Sequence, residues 1–532
     1  MATPVQAAQP APTAGAAWDL RAWLAAAEQL GQVQRIAAEV DPDLEMSTIT
    51  YMVGKRVDAP ALLFERIRGY PGHRALWNIL GSSLDRYALA MGLPPGQDAR
   101  TLVQLTRERL KHRLPPREVP PETAPVNAHV LTGADADVTR LPAPRHWPLD
   151  GGRYLGTADV VITRDPDTGV LNVGTYRMMV HGPRELGLYL SPGKDARLQM
   201  ARAWARGEPF PVAAAVGIDP LLFIVGSQTF PKNVSEYEHA GGILGAPIEV
   251  TRGVATDLLI PARAEIVIEG VVHPGRTRPE GPFGEFTGYY GRPEGEAPLV
   301  EVLAIHYRDQ PILTNALMAD YPACEMAVFF SIAKAARVWD DLDRLGIPGI
   351  AGVYAHPAAA SGFGMLVVAL EQRYAGHAAQ VLALAAQCPG AAYYTKWIIA
   401  VDEDVDPSNL DEVLWALSTR CSPIDDIDIQ RNTWSTWLDP TINPPELRPW
   451  GSKALINACK QHRFLHSFAR RTRPARAVYE RVRARWAELG LPGTPPVLTG
   501  LEEDTAPEPA PGRPAGAPSL LDEGGASGTF MM

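Results

Sequence analysis

Around residue 325 the chain changes its hydrophobic rhythm, and that change constrains the fold more than any other feature. Between about 155 and 320, short runs follow one another between glycine and proline turns: ADVVITRD, LNVGTYRMMV, FPVAAAVG, APIEVTRG, AEIVIEGVV, LVEVLAIHY and PILTNAL. Runs of this length, bounded by turn formers, predict the strands of a barrel or sandwich. One helix, from about Lys194 to Arg206, is expected among them. After 325 helix and strand alternate through FSIAKAARVWDDLDRLG, GIAGVYAH, GMLVVAL, GHAAQVLALAAQCPG and TKWIIAVDEDVD. Such alternation predicts a parallel or mixed sheet.

Ahead of both stretches, Leu20, Trp23, Leu24, Ala27 and Leu30 recur at helical spacing and stop at Gly31. QVQRIAAEV, PALLFERI and RALWNIL then read as strands. The proline-rich stretch 114–130 reads as a linker. The expected division is a disordered 1–16, an α/β unit over 17–115, a strand-rich domain over 116–325, an α/β domain over 326–492 and a disordered tail over 493–532. An amphipathic helix is expected at about 473–489. The fold class is α/β in the broad sense, with an α+β centre.

Composition narrows the function by exclusion. Lys and Arg number 50 against 60 Asp and Glu, for a net charge of −10. This offers no basic footprint for nucleic acid or an acidic membrane. No apolar run reaches the ~18 residues of a membrane span, and the N-terminus lacks the basic and apolar regions of a secretory signal. The four cysteines show no CxxC spacing, so reduced thiols packed in cores are expected, as in a cytoplasmic enzyme. Walker, HExxH, GxSxG and GxGxxG patterns are missing from the sequence.

Three segments carry chemistry. LNVGTYRMM sets Asn172 and Arg177 in a strand-like run, where a buried cation needs a partner. KNVSEYEHAGGILG places Glu236 and Glu238 on one face if extended and far apart if helical. Its AGG suits close backbone approach at a metal or phosphate, and its acids equally suit a helix N-terminus. RPEGPFGEFTGYYG holds Glu280 and Glu285 in a constrained loop. Carboxylates near an arginine can divide into an ionised partner and a protonated donor. Taken alone, the first two segments also fit plain scaffolding.

Together the motifs NVGTYR, SEYEHAGGILG and PEGPFGEFTGYY resemble the UbiD family of reversible decarboxylases, which use prenylated flavin mononucleotide. TKWIIAVDEDVD, LDEVLWALSTRCSP and the opening DLRAWLAAAEQLGQVQRI extend the resemblance over about 18–490. It implies a central split β-barrel-like flavin-binding domain and a C-terminal α/β dimerisation domain. Asn172 and Glu236 are then ligands of a divalent ion, Mn²⁺ or Mg²⁺, whose hard-oxygen preference they suit. A potassium ion is also common in the family. The stretch Asn172, Val173, Gly174, Thr175, Tyr176 and Arg177 is implied to lie along the cofactor, with Lys194 and Asp195 near it and Lys396 on its phosphate. Arg177, Glu280 and Glu285 match the family's Glu–Arg–Glu network: Arg177 orients the substrate carboxylate, Glu280 holds Arg177, and Glu285 delivers a proton.

The sequence departs from the family at one place. Where SPGKH is common, it reads SPGKD, so Asp195 stands in for a histidine ligand. Asp195 either ligates the metal or serves the start of the helix near Lys194. The implied reaction is the reversible, non-oxidative decarboxylation of an aromatic, heteroaromatic or α,β-unsaturated acid. It involves CO₂, a flavin prenyltransferase as cofactor supplier, and a homodimer or hexamer. Two rival readings are a flavin-independent metal lyase or hydrolase, and a flavin-binding protein disabled by Asp195. His306, His356, His377 and His462 read as structural or exposed, DEDVD (402–406) as a turn, and Trp434, Trp437 and Trp450 as core or interface.

Overall fold

Valine and isoleucine, stiff at χ1, draw the middle of the chain into extended conformation, and nine strands join there in one antiparallel sheet. The structure is a computed structural model that describes residues 18–501 apart from 232, 445, 446, 466, 470, 499 and 500. The expected disordered ends lie outside the described residues, save for 493–498 and 501. The strands run in the order Tyr154–Leu155, Met178–Gly182, Glu185–Leu188, Gly295–Tyr307, Ile266–Glu280, Phe210–Val216, Asp159–Arg164 and Leu171–Gly174. His129–Thr132 adds to Gly295–Tyr307. The path is open, so no closed barrel forms among the described residues. Its two end regions are nevertheless tied by Thr175, Tyr176 and Arg177, which connect Leu171–Gly174 to Met178–Gly182. Four extended steps reach at most about 14 Å, so the sheet curls until its ends nearly meet. Arg177 therefore sits in the seam of a split barrel. Val161, Met178, Leu186, Val212, Ile268 and Val302 belong to its core, each worth about 1.5–3 kcal/mol when fully buried.

The sequence-based expectation of one unbroken strand over LNVGTYRMMV is corrected here. The run breaks at Thr175–Arg177, where Gly174 faces Tyr176: a Cβ on Gly174 would lie 2.7 Å from the tyrosine ring. The expectation of a single helix among the strands is also corrected. Besides Asp195–Ala205 there are Pro220–Gly226 and Glu236–Leu244. Both are short and apolar over most of their length, so period alone does not separate them from strands. The stretch 114–130 is less of a linker than expected, because it contributes Arg117–Glu118 to a three-stranded sheet and begins His129–Thr132.

Leu20–Gln29, capped by Asp19, opens the N-terminal part. Beside it, Val33–Val40, Ala61–Ile67, Arg74–Trp77 and the later Ile312–Asn315 make a four-stranded sheet. The C-terminal part is a mixed five-stranded sheet in the order Ile350–Ala355, Met365–Leu370, Trp397–Asp402, Trp450–Ala458, Ile427–Trp434. Helices Ala327–Arg344, His377–Gln387 and Leu410–Arg420 accompany it. One core cluster includes Trp23, Tyr87, Leu221, Phe329 and Val368, and so joins N-terminal, central and C-terminal segments. Residues after Leu465 form a separate unit with the helix Arg476–Ala484. Of the cysteines, three are buried and Cys421 is half-buried, all unpaired.

Candidate active site

Arg177 leaves the seam of the split barrel and enters a cavity of about 490 Å³. Its Nε donates to Glu280 Oε1 at 2.8 Å, and its Nη1 pairs with Glu285 Oε1. Glu280 ends the long strand Ile266–Glu280, and Glu285 lies in the loop beyond. Arg292 adds a second cation to Glu280, with Nη1 to Oε2 at 2.6 Å, and the Tyr154 hydroxyl donates to Oε1 at 3.2 Å. Glu280 is fully buried. Burial pushes its carboxyl up, but Arg177 and Arg292 outweigh burial and hold it below the ordinary carboxylate value. Glu285 has no second arginine, and burial raises it to about 7 against the pull of Arg177. The same guanidinium thus faces one ionised carboxylate and one that keeps its proton near neutrality. Tyr189 and Phe283 flank Arg177 at 4.2 and 4.8 Å from its guanidinium carbon.

Asp150 fixes the loop that carries Glu285. Its Oδ1 accepts from the Gly284 N–H at 3.0 Å, and its Oδ2 accepts from His146 and Trp147. A side chain at Gly284 would collide with Trp147, and one at Gly151 with the Gly281 carbonyl. The loop and segment 146–151 are therefore in backbone contact, which accounts for their glycines.

Glu236 begins the helix Glu236–Leu244, which Ser235 caps and Gly245 ends at φ +74°. Its Oε2 accepts from the Val173 N–H at 2.7 Å, tying the helix to the strand of Asn172. Glu238 points elsewhere, as a helix requires of residues two apart. The AGG that follows serves packing: Cβ atoms on Gly241 and Gly242 would lie 2.6 and 2.1 Å from the carbonyls of Leu114 and His112. Asn172, Asp195 and Glu236 together line a small recess beside the cavity. Asn172 spends its amide nitrogen on Thr163, so its carbonyl oxygen remains for a cation. Asp195 is the first residue of Asp195–Ala205, while Lys194 stands at the cap position without a side-chain capping bond. Burial pushes Glu236 up to about 7, and the nearby Asp195 charge adds to the rise.

The buried carboxylate of Glu236, the half-buried one of Asp195 and an amide oxygen form a hard donor set that a divalent cation fits. Among the described residues no group of three His, Cys, Asp or Glu gathers for a metal, and this set has two carboxylates beside its amide.

Of the residues expected at the site, Asn172, Gly174, Thr175, Tyr176, Arg177, Lys194, Asp195, Glu236 and Glu285 line the cavity. Glu280 stands behind Arg177, and Val173 contributes its backbone to Glu236. Lys396 is not among the lining residues; its ammonium lies 2.8 Å from both Asp439 and Thr441. Sequence reading missed Arg292, Tyr154 and Asp150, although Arg292 sits just past the GYYG of the acidic loop. It also missed Arg337 and Lys334, which line the cavity from the helix Ala327–Arg344. Trp434 lines the cavity beside Gly193 and is not confined to core or interface. Asp402 and Asp404 of the DEDVD run are paired with Arg420, a structural role.

Models of the N-terminal, Rift-related and C-terminal domains of UbiD, 3-octaprenyl-4-hydroxybenzoate carboxy-lyase, match residues 24–106, 117–321 and 327–458. The phenolic acid decarboxylase of Escherichia coli O157:H7 is 33% identical over 439 residues, spanning 80% of this chain and 89% of the relative. Among solved structures, Sedimentibacter hydroxybenzoicus vanillic acid decarboxylase in closed form aligns with a TM-score of 0.80 at 30% identity, covering 90% of this chain and 99% of that one. The UbiD-class enzyme HmfF of Pelotomaculum thermopropionicum, in complex with FMN, aligns at 0.75 and 30% identity over 86% and 98%. An evolved dimeric form of HmfF in complex with prFMN aligns at 0.73 and 29% identity over 86% and 97%. With likeness at this level over nearly the whole length of its relatives, the chain belongs to the UbiD family and is a decarboxylase, a carboxy-lyase of that type.

Proposed function

We propose that this enzyme decarboxylates a phenolic or related aromatic, heteroaromatic or α,β-unsaturated acid, reversibly, with prenylated FMN and a divalent metal. The observation that carries the reading is the unequal pair around Arg177: Glu280 ionised between two guanidiniums, Glu285 raised to about 7. The names of its relatives support the substrate class, and the flavin complexes of HmfF support the cofactor. Phe283, Phe286, Phe330 and Phe363 give the cavity an apolar wall suited to ring systems.

Bound prenylated flavin supplies the electron sink that no side chain provides. Arg177 binds and orients the substrate carboxylate, since its planar fork matches a carboxylate. Glu280 holds Arg177 in place and keeps it charged. Glu285 delivers the proton that replaces CO₂ on carbon, which its raised carboxyl can do near neutral pH. Asn172, Asp195 and Glu236 would hold Mn²⁺ or Mg²⁺, which would neutralise the two carboxylates and the charge of the cofactor's phosphate. This favours Asp195 as a ligand in place of the family's usual histidine.

The matched family models support a division into N-terminal, central and C-terminal domains; in this reading the central one binds the flavin and the C-terminal one mediates dimerisation. A flavin prenyltransferase is the required supplier. A cytoplasmic location accords with four unpaired cysteines; no helix among the described residues is long and apolar enough to cross a membrane.

The test is co-expression with a flavin prenyltransferase, followed by absorbance, mass analysis and CO₂ release from a panel of aromatic acids. Modified flavin with turnover of at least one acid is expected. A folded, Mn²⁺-supplied protein that holds no flavin would overturn the reading.

A further inference from the structure

Four cations line the cavity, and they differ in what they already hold. Arg177 is committed to Glu280 and Glu285. Lys334 spends its ammonium on the carbonyls of Gly362 and Phe363 and on Thr395. Lys194 is half-buried and lies 5.5 Å from the Tyr393 ring centre. Arg337 is only 8% exposed, yet its guanidinium has no hydrogen bond or ion pair among the described residues, and its Nε–H is buried without an acceptor. Its contact is the face of Phe230, at 5.2 Å. The nearest acids are already in use. Asp341 accepts from the Gly390 N–H, and Asp340 pairs with Arg107.

A guanidinium withdrawn from water with open donors is costly to a fold. Here burial pulls its pKa down against the attraction of Asp341. The cost is recovered when an anion enters the cavity and completes the fork. Phe230, under Arg337, also lines the recess of Asn172, Asp195 and Glu236. Arg337 thus stands at the side of the cavity where the divalent ion is placed, apart from the carboxylate-binding Arg177. An anion held there would meet a planar bidentate donor beside the residues that would hold the metal, an arrangement suited to a phosphate monoester. Lys396 would first have to leave Asp439 and Thr441; Arg337 has no partner to leave among the described residues.

We infer that Arg337 binds the phosphate of the flavin cofactor; this rests on the flavin reading above. The experiment compares FMN with riboflavin, which lacks the phosphate, by quenching of flavin fluorescence with the purified full chain and Mn²⁺. The proteins are wild type, Arg337→Gln and Arg337→Lys. Wild type is expected to prefer FMN. Arg337→Gln should weaken FMN by about tenfold or more, the scale of a charge-assisted bond, and leave riboflavin unchanged. Arg337→Lys should restore part of the preference. Arg337→Gln with the wild-type preference for FMN would overturn the inference. So would equal weakening of both flavins, which marks a structural role. Wild type that binds riboflavin and FMN alike overturns the phosphate role while leaving the flavin reading; wild type that binds neither overturns both.

Discussion

Arg177 and Arg337 line one cavity and stand in opposite conditions. Arg177 is held by two carboxylates, one of which is shared with a second arginine and a tyrosine. Among the described residues Arg337 has only an aromatic face. Around Arg177 every partner belongs to the chain, so the acid–base apparatus is assembled before anything binds. Around Arg337 and Glu236 the described residues supply a guanidinium and a carboxylate with no counter-charge paired to either. The difference teaches where the protein does chemistry and where it receives a ligand. On the reading proposed above, the first region is preorganised to act on a substrate, and the second awaits a metal and a phosphate.

Removing the proton donor should break the comparison most severely. Glu285→Gln is expected to retain flavin and lose turnover by about 10²–10⁴-fold, the usual worth of a general acid, measured as CO₂ release. Next, Glu280→Gln leaves Arg177 and Arg292 short of a buried partner. Denaturant unfolding should show a loss of about 3–5 kcal/mol, the range for breaking a buried pair from one side. The same substitution on the other side should behave differently. Glu236→Gln is expected to abolish the stabilisation produced by Mn²⁺, which in wild type amounts to about 2.7 kcal/mol at a hundredfold excess over Kd and is read from denaturant unfolding. The metal-free variant should be no less stable than wild type near pH 7, because it removes a carboxyl that burial disfavours as a charge.

The smallest effect concerns pH. Glu285 works as an acid only while protonated, so activity should fall as pH rises through about 7. The Asp150 charge adds to the rise of Glu285, after burial and Glu280. Asp150→Asn should therefore move the basic limb of the pH–rate profile down by about half a pH unit, a modest charge effect. A fall in rate with an unmoved limb would assign Asp150 to loop support alone. Stability carries the same sign. Glu285 and Glu236 rise from 4.5 to about 7 on folding. The folded chain then binds more protons than the unfolded one between those values, so metal-free stability should decline from pH ~4.5 to ~7.

Much of this was legible in the residues. The break in rhythm near 325 marked the passage from the strand-rich centre to a mixed sheet, and the motifs around Arg177, Glu280 and Glu285 named residues that the fold brings into contact. Illegible were partners set by tertiary geometry. Arg292 meets Glu280 across a loop whose turn no local rule gives, and Asp150 reaches Gly284 from 134 positions away. Glu236–Leu244 was ambiguous because nine residues hold too few turns for period to decide. The isolation of Arg337 was hidden for a different reason. A residue without a partner leaves no pattern in sequence, and only the commitments of Asp340 and Asp341 to other groups reveal it.

The most direct test of the central claim is infrared difference spectroscopy of the flavin-free protein, following the carbonyl stretch of protonated carboxyls from pH 5 to 9 in wild type, Glu285→Gln and Glu280→Gln. The account predicts that part of the wild-type band, beyond the share of Glu236 and the other buried carboxyls, fades near pH 7, is lost in Glu285→Gln and persists in Glu280→Gln. A Glu285 that is fully ionised at pH 5, or a titrating band that disappears with Glu280 instead, would contradict it.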